Sequence, residues 1–193
     1  MKTDIILAGV GGQGILSIAA AIGLAAVKSN IFLKQSEVHG MSQRGGDVQS
    51  HLRISDKPVA SDLIPKGKAY LILSVEPMES LRYLPFLAKD GWLVTNINPF
   101  NNIPDYPELD SILEQIKAIP NHIAIDADAI AKASGSSRSL NIVMLGAASP
   151  FINISYAQLE DGIRMLFGKK GAELVDINLK ALRAGRDFTE KNR

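Results

Sequence analysis

The sequence predicts an α/β fold of three layers built on a mostly parallel sheet. Three observations predict it. Short apolar runs alternate with longer segments of helical periodicity along the chain. The runs are apolar on both alternating faces, the pattern of strands covered by helices on each side. The first run ends in the glycine-rich segment Gly9-Val10-Gly11-Gly12-Gln13-Gly14, which opens into a helical pattern. Strands and helices that alternate in this way assemble as a sheet between helical layers.

The elements follow in order. Asp4-Ile5-Ile6-Leu7-Ala8 reads as a buried strand. From Gln13 to Lys28, Ile15, Ile18, Ala19, Ile22, Ala25 and Ala26 recur at helical spacing, with many alanines and no proline, which favours helix. Ile31-Phe32-Leu33 is the next strand, giving a β-α-β unit of about 35 residues. A polar loop follows. From Asp47 to Ile54 the chain alternates, with Gln49, His51 and Arg53 on the polar side. This is a strand whose second face meets water or a partner. Tyr70–Ser74 and Gly91–Thr95 are strands, separated by a short helix over Glu79–Leu87 that Pro77 and Pro85 limit. Asn96–Pro107, rich in asparagine and proline, is an irregular connection. A helix over Leu109–Ile119 and a strand over His122–Ile125 come next, and Asp126 is placed to cap a helix through Lys132. The remainder is helical: Leu140–Ala148, Tyr156–Phe167 and Ala172–Thr189. The polar tail from Arg183 to Arg193 suggests a helix end that frays or docks elsewhere. The whole is expected to be one Rossmann-like domain, with a core over about 4–150 and a helical part over about 151–193.

Composition narrows the function. With 193 residues, 46% of them hydrophobic, the chain can bury a substantial core. Its 21 basic and 20 acidic residues nearly balance and form no long basic run, which argues against nucleic-acid binding. No apolar run approaches the roughly 20 residues of a membrane helix. Met1-Lys2-Thr3-Asp4 leads straight into a strand and lacks the features of a signal peptide, so the expectation is a cytoplasmic protein. There is no cysteine. That removes disulfides, a thiol nucleophile and thiolate-held iron–sulfur clusters. His39, His51 and His122 are too scattered for a zinc site.

The strand–glycine–helix arrangement is the setting of a dinucleotide-binding turn. In that setting Gly9 permits the tight turn, Gly11 the approach of a phosphate, and Gly14 the packing of helix on strand. Gln13 stands where the helix begins and can bond a ligand or a neighbouring loop. The acid that would hold a ribose should follow by about 20 residues. Glu37 comes 23 residues after Gly14, beyond the expected strand. Packing alone is the other explanation of these glycines.

A second polar segment, Glu37-Val38-His39-Gly40-Met41-Ser42-Gln43-Arg44-Gly45-Gly46, is expected as a loop. Arg44 suits a carboxylate or phosphate, and an imidazole such as that of His39 is a residue type that moves protons near neutral pH. A Glu37–Arg44 ion pair that shapes the loop is the simpler alternative. His51 and Arg53, on the polar face of the next strand, either extend this surface or face solvent.

Together GVGGQG over Gly9–Gly14 and EVHGMSQRGGDVQSHLRIS over Glu37–Ser55 resemble the gamma-type subunits of the 2-oxoacid:ferredoxin oxidoreductases. Within that family the stretch His39–Gly46, with Asp62-Leu63-Ile64-Pro65, Glu76–Arg82 and Asn141–Gly146, is most similar to the small (beta) subunits of the indolepyruvate type. The resemblance spans about Asp4 to Gly146. It implies a non-catalytic subunit of an enzyme that oxidatively decarboxylates an aryl 2-oxoacid. Coenzyme A and oxidised ferredoxin would be consumed, and aryl-acetyl-CoA, carbon dioxide and reduced ferredoxin formed. It further implies a large catalytic partner carrying thiamine diphosphate, magnesium and the iron–sulfur clusters, with coenzyme A as a co-substrate that contacts this chain. On this chain it implies no catalytic residue and no metal. Ligand or interface positions are Gly11, Gly12, Gln13, Gly14, Glu37, His39, Arg44 and Gly45. Two other readings stay open: a free-standing NAD(P)-binding oxidoreductase and a nucleotide-binding regulatory module.

Overall fold

The structure, a computed structural model, describes residues 1–40, 45–101 and 103–193. Its strands are β1 (Lys2–Val10), β2 (Phe32–His39), β3 (Asp47–Ser55), β4 (Ala69–Ser74), β5 (Leu87–Asn96) and β6 (His122–Ile125). The α-helices are α1 (Ile15–Lys28), α2 (Pro77–Arg82), α3 (Leu109–Lys117), α4 (Ala127–Ala133), α5 (Leu140–Ala148), α6 (Tyr156–Phe167) and α7 (Ala172–Asn192). They form one six-stranded sheet in the order β2-β3-β1-β4-β5-β6. β1, β4, β5 and β6 pair in parallel, while β3 runs antiparallel to both β1 and β2.

The sheet is mostly parallel, as the apolar runs predict, yet β1 and β2 are not neighbours. β3 lies between them because β2 and β3 form a hairpin. The strand expected over Ile31–Leu33 continues to His39. Glu37 and His39 therefore stand on a strand rather than on a loop. β2 is an edge strand left largely exposed on both faces, so no apolar period marks its end. Gly40 N then donates to Asp47 O at 2.9 Å, and the hairpin closes there.

Alternation along β1 feeds two cores. Ile5 and Leu7 pack with Ile18, Ile22, Val143, Leu159 and Leu182 under α1, α5, α6 and α7. Ile6 and Ala8 pack with Ile72, Tyr83, Ile112 and Ile116 under α2 and α3. Each such buried aliphatic side chain contributes about 1.5–3 kcal/mol. On the first face the helices approach backbone to backbone. A Cβ added to Gly162 would lie 2.4 Å from Ala21 O, one on Gly146 2.1 Å from Leu182 O, and one on Gly185 2.0 Å from Val143 O.

That contact corrects the expectation for the tail. α7 neither frays at Arg183 nor docks elsewhere. Ala181, Gly185 and Thr189 form a buried stripe of small residues at four-residue spacing, and Thr189 Oγ1 donates to Ala147 O at 2.9 Å. The cap at Asp126 is present: its Oδ1 accepts from Ala129 N at 2.9 Å.

The polar side of β3 is also not what alternation suggests. The connection 56–68 covers it, and His51 and Arg53 are buried. Arg53 donates from Nε and Nη2 to both oxygens of Asp4, at 2.8 and 3.1 Å, and from Nη1 to Ser61 O and Leu63 O. A buried guanidinium is tolerable only when paired this fully. His51 Nδ1 accepts from Ile64 N at 2.9 Å, and its ring meets Phe86 edge-on at 5.4 Å. Neither residue extends a surface and neither faces solvent.

Candidate functional site

The carboxyl ends of β1, β4, β5 and β6 lie along one edge of the sheet. α1 leaves β1 toward one face, and α2 follows β4 on the other. The order of connections thus reverses between β1 and β4, the place where open α/β sheets receive ligands. The glycine segment stands there. A Cβ on Gly9 would lie 2.5 Å from Val75 Cγ2 of the neighbouring strand's exit, so Gly9 is required for packing.

The backbone turns left-handed at Gly12 (φ +98°) and Gly14 (φ +75°). The position expected to need glycine for a phosphate, Gly11, does not have a positive φ, and its N–H is already given to Gly46 O at 2.8 Å. Gln13 turns inward: its Oε1 accepts from Val10 N at 2.8 Å, which leaves it serving the loop. Gly14 O accepts from Asn141 Nδ2 at 3.0 Å. The first turn of α1 has no side-chain cap and no acid.

Register brings the second segment to the first. Val48 of β3 pairs with Gly9 on one side and His39 on the other. A cleft of about 270 Å³ results, lined by Gly11, Gly12, Gly14 and His39 with Ile15 and Leu16. The His39 side chain is 54% exposed, and its Nε2 lies 3.3 Å from Glu37 Oε2. Glu37 is held in turn by Gln35 Nε2, which also reaches Ser50 Oγ at 3.3 Å. The carboxylate that would serve a ribose is therefore engaged along its own strand. Gly45 is left-handed at φ +80°. Arg44, with Met41, Ser42 and Gln43, lies outside the described residues, and so does any pairing of Arg44 with Glu37.

At the carboxyl ends of β4, β5 and β6 is a polar network that sequence reasoning missed. Fully buried Glu76 accepts from Glu79 N at 2.8 Å, from Phe100 N at 3.4 Å and from the Tyr106 hydroxyl. Asn98 Nδ2 donates to Asp126 Oδ1 and Asp128 Oδ2, at 2.7 and 2.9 Å. Asn96 Nδ2 donates to the same Asp128 oxygen at 3.0 Å, and Asn96 Oδ1 accepts from Ala127 N. These bonds lash the connection after β5 across the sheet edge. Burial pushes the Glu79 carboxyl above its ordinary range, opposed by the Arg82 guanidinium at 2.7 Å. Burial also pushes up the phenols of Tyr83 and Tyr106, helped by their bonds to Asp47 and Glu76. The signal was present in Asn96-x-Asn98 and Asp126-x-Asp128 at two strand ends, but their convergence needs the β5–β6 pairing.

The residues do not fit an iron–sulfur cluster, since the 193 residues include no thiolate ligand. Nor, among the described residues, do three or more His, Asp or Glu converge to hold the metal that thiamine diphosphate needs. No described helix is long and apolar enough to cross a membrane.

Comparison with known proteins gives consistent matches. A family model described as pyruvate ferredoxin/flavodoxin oxidoreductase matches residues 4–188. The indolepyruvate oxidoreductase subunit IorB of Methanothermobacter thermautotrophicus is 38% identical, covering 96% of each chain. That of Archaeoglobus fulgidus is 36% identical over 96% of this chain and 94% of its own. Among solved structures, the 2-oxoglutarate:ferredoxin oxidoreductase of Magnetococcus marinus, with 2-oxoglutarate, coenzyme A and succinyl-CoA bound, has a TM-score of 0.78 at 24% identity. The match covers all of this chain and 32% of that one. A keto/oxoacid ferredoxin oxidoreductase gamma subunit from Geobacter sulfurreducens has a TM-score of 0.71 at 22% identity, covering 98% and 99%. At these identities the two structures speak to fold.

Proposed function

Because the chain belongs to the pyruvate ferredoxin/flavodoxin oxidoreductase family, we propose that it is the small subunit of an indolepyruvate-type oxidoreductase. The complete enzyme converts an aryl 2-oxoacid, coenzyme A and oxidised ferredoxin to aryl-acetyl-CoA, carbon dioxide and reduced ferredoxin, in the cytoplasm. The observation that carries this reading is identity of 36–38% to indolepyruvate oxidoreductase subunits along nearly their whole length. The lack of cysteine supports a division of labour. Iron–sulfur clusters, thiamine diphosphate and magnesium belong to a larger partner, which passes electrons to ferredoxin.

This chain supplies a shaped surface rather than reacting groups. The cleft at Gly11, Gly12, Gly14 and His39 meets that partner or the coenzyme A it binds, together with Gly45 and Arg44 from the adjoining segment. Gln13 and Glu37 hold that surface in shape. Residues 4–150 and 151–193 act as one unit, a reading supported by the apolar cluster that joins Ile5 and Val94 to Leu159 and Leu182.

The test is affinity purification of the tagged chain from anaerobically grown host cells, with metal, cofactor and mass analysis of what comes with it. A stoichiometric larger chain with iron and thiamine diphosphate, reducing ferredoxin on addition of indolepyruvate and coenzyme A, is the expected result. A chain that purifies alone and binds NADH saturably overturns the proposal. In the assembled complex, Arg44→Ala is expected to lower turnover while leaving the thermal stability of this chain unchanged.

A further inference from the structure

A pocket of about 330 Å³ opens on the helical side of the fold, between the approach to α5 and the first turns of α7. Its walls divide by chemistry. Phe167, Leu174 and Ile177 make an apolar side, and Arg138 and Lys170 bring two cations. No aspartate or glutamate lines it. Some surface cations are paired, as in Lys28–Asp161, Arg82–Glu79 and Arg186–Glu190. Among the described residues Arg138 and Lys170 have no such partner, and Glu173 and Asp176 of α7 are exposed to solvent and not part of the lining.

The polar part of the wall is fixed. Ser139 and Asn178 are 2% and 3% exposed. Ser139 Oγ donates to Ser136 O at 2.6 Å, and Asn178 Nδ2 to Leu174 O at 2.7 Å. Ser136 Oγ accepts from Arg138 N at 3.2 Å, which leaves the Ser136 hydroxyl proton to donate. Lys170 Nζ stands 5.8 Å from the centre of the Phe167 ring, so one cation sits where the apolar wall begins.

We propose that this pocket binds an aromatic carboxylate. The ring lies against Phe167, Leu174 and Ile177, and the carboxylate is gripped between Arg138 and Lys170. A planar guanidinium matches a carboxylate with two parallel hydrogen bonds, and an aromatic wall favours an aromatic body. The volume is at the small end of ligand pockets, which run from about 300 to 1,000 Å³. It suits a single aryl acid and excludes a dinucleotide. Two residues beyond Ser139, Asn141 holds Gly14 O. The site stands apart from the proposed reaction, which assigns it nothing, and its test needs no partner subunit.

The full chain, labelled with nitrogen-15, is titrated with indole-3-acetate while amide shifts are followed. Expected are saturable shifts at Ser139, Phe167, Lys170 and Ile177. R138Q and K170Q should each weaken binding about tenfold, as for loss of one charge-assisted contact. Both side chains are exposed, so an unchanged amide spectrum in the absence of the acid verifies the fold of each variant. Tryptamine, which has the ring but the opposite charge, should not displace the acid. Shifts that do not saturate, or binding by R138Q and K170Q equal to that of the parent chain, overturn the site. Inorganic phosphate binding as tightly as indole-3-acetate overturns the aromatic assignment.

Discussion

Two groups of glycines do opposite work in this molecule. At the crossings of α5 with α7 and of α1 with α6, Gly146, Gly185 and Gly162 are glycine because another backbone occupies the space of a side chain. At the sheet edge, Gly12 is glycine because the chain turns left-handed there, and nothing lies within 4 Å of an added Cβ. The first group is closed and holds the helices together. The second is open and leaves bare backbone beside a cleft. The left-handed turn requires glycine at Gly12, and the empty space beside it leaves that backbone open to approach; this contrast separates scaffold from surface more sharply than the shared motif does.

The largest effect is expected at the closed group. Gly185→Ala sets a methyl 2.0 Å from Val143 O and 2.8 Å from Ala147 N. Both are backbone atoms that cannot swing away, so α7 must lift from α5. Overpacking of this kind costs about 3 kcal/mol, read as a fall in the urea midpoint at constant slope. An unchanged midpoint would mean that the crossing is looser than its geometry.

Gly12→Ala should cost less and do more. The left-handed turn alone penalises an L-residue by roughly 1–2 kcal/mol, with no steric addition. If the open group faces the partner, the variant chain should remain folded yet lose affinity for the complex by a larger factor than its stability loss accounts for. Equal losses in both measurements would return Gly12 to a purely local role.

The same contrast explains what was readable beforehand. The buried strands, the helices from Leu109 onward and the Asp126 cap follow from apolar period and capping chemistry, because they sit in sequence-local patterns. β2 did so only at its start, Ile31–Leu33, since an edge strand such as Phe32–His39 carries no apolar stripe to mark its end. The burial of Arg53 depends on Asp4, 49 residues away, and on a covering connection that the sequence displays only as Pro58 and Pro65 in a polar stretch. For the candidate site, Gly12, Gly14 and His39 were named together, and the fold brings them to one cleft. What joins them is the pairing of Val48 with both Gly9 and His39, a fact of register. Gly11 and Gln13 were named for ligand contact, and in the fold the Gly11 N–H goes to Gly46 O while Gln13 Oε1 accepts from Val10 N.

The hairpin supplies a smaller version of the comparison in its two histidines. His51, 4% exposed, is on the closed side, and burial lowers its pKa from 6.5 against the opposing pull of Asp62. As pH falls through 6.5 the unfolded chain takes up this proton before the folded one. Stability therefore rises with pH across that window and is lost on acidification, by at most about 1.4 kcal/mol per pH unit for one proton. Protonation of Nδ1 would also break its bond from Ile64 N. His51→Gln should remove that slope from urea midpoints measured between pH 7 and pH 5, that is, over about two units below neutrality.

His39 is the open counterpart, and its substitution carries the smallest structural effect. Its side chain is half exposed and, among the described residues, its one polar contact is with Glu37 across 3.3 Å. His39→Gln should change stability by no more than about 0.5 kcal/mol, the range of surface substitutions. The turnover of the assembled oxidoreductase should nevertheless fall, because the imidazole lines the cleft that the glycines leave open. A variant complex with unaltered kcat and KM for both coenzyme A and the 2-oxoacid would show that the cleft faces solvent in the assembly. Gly12 would then be explained by its left-handed turn alone.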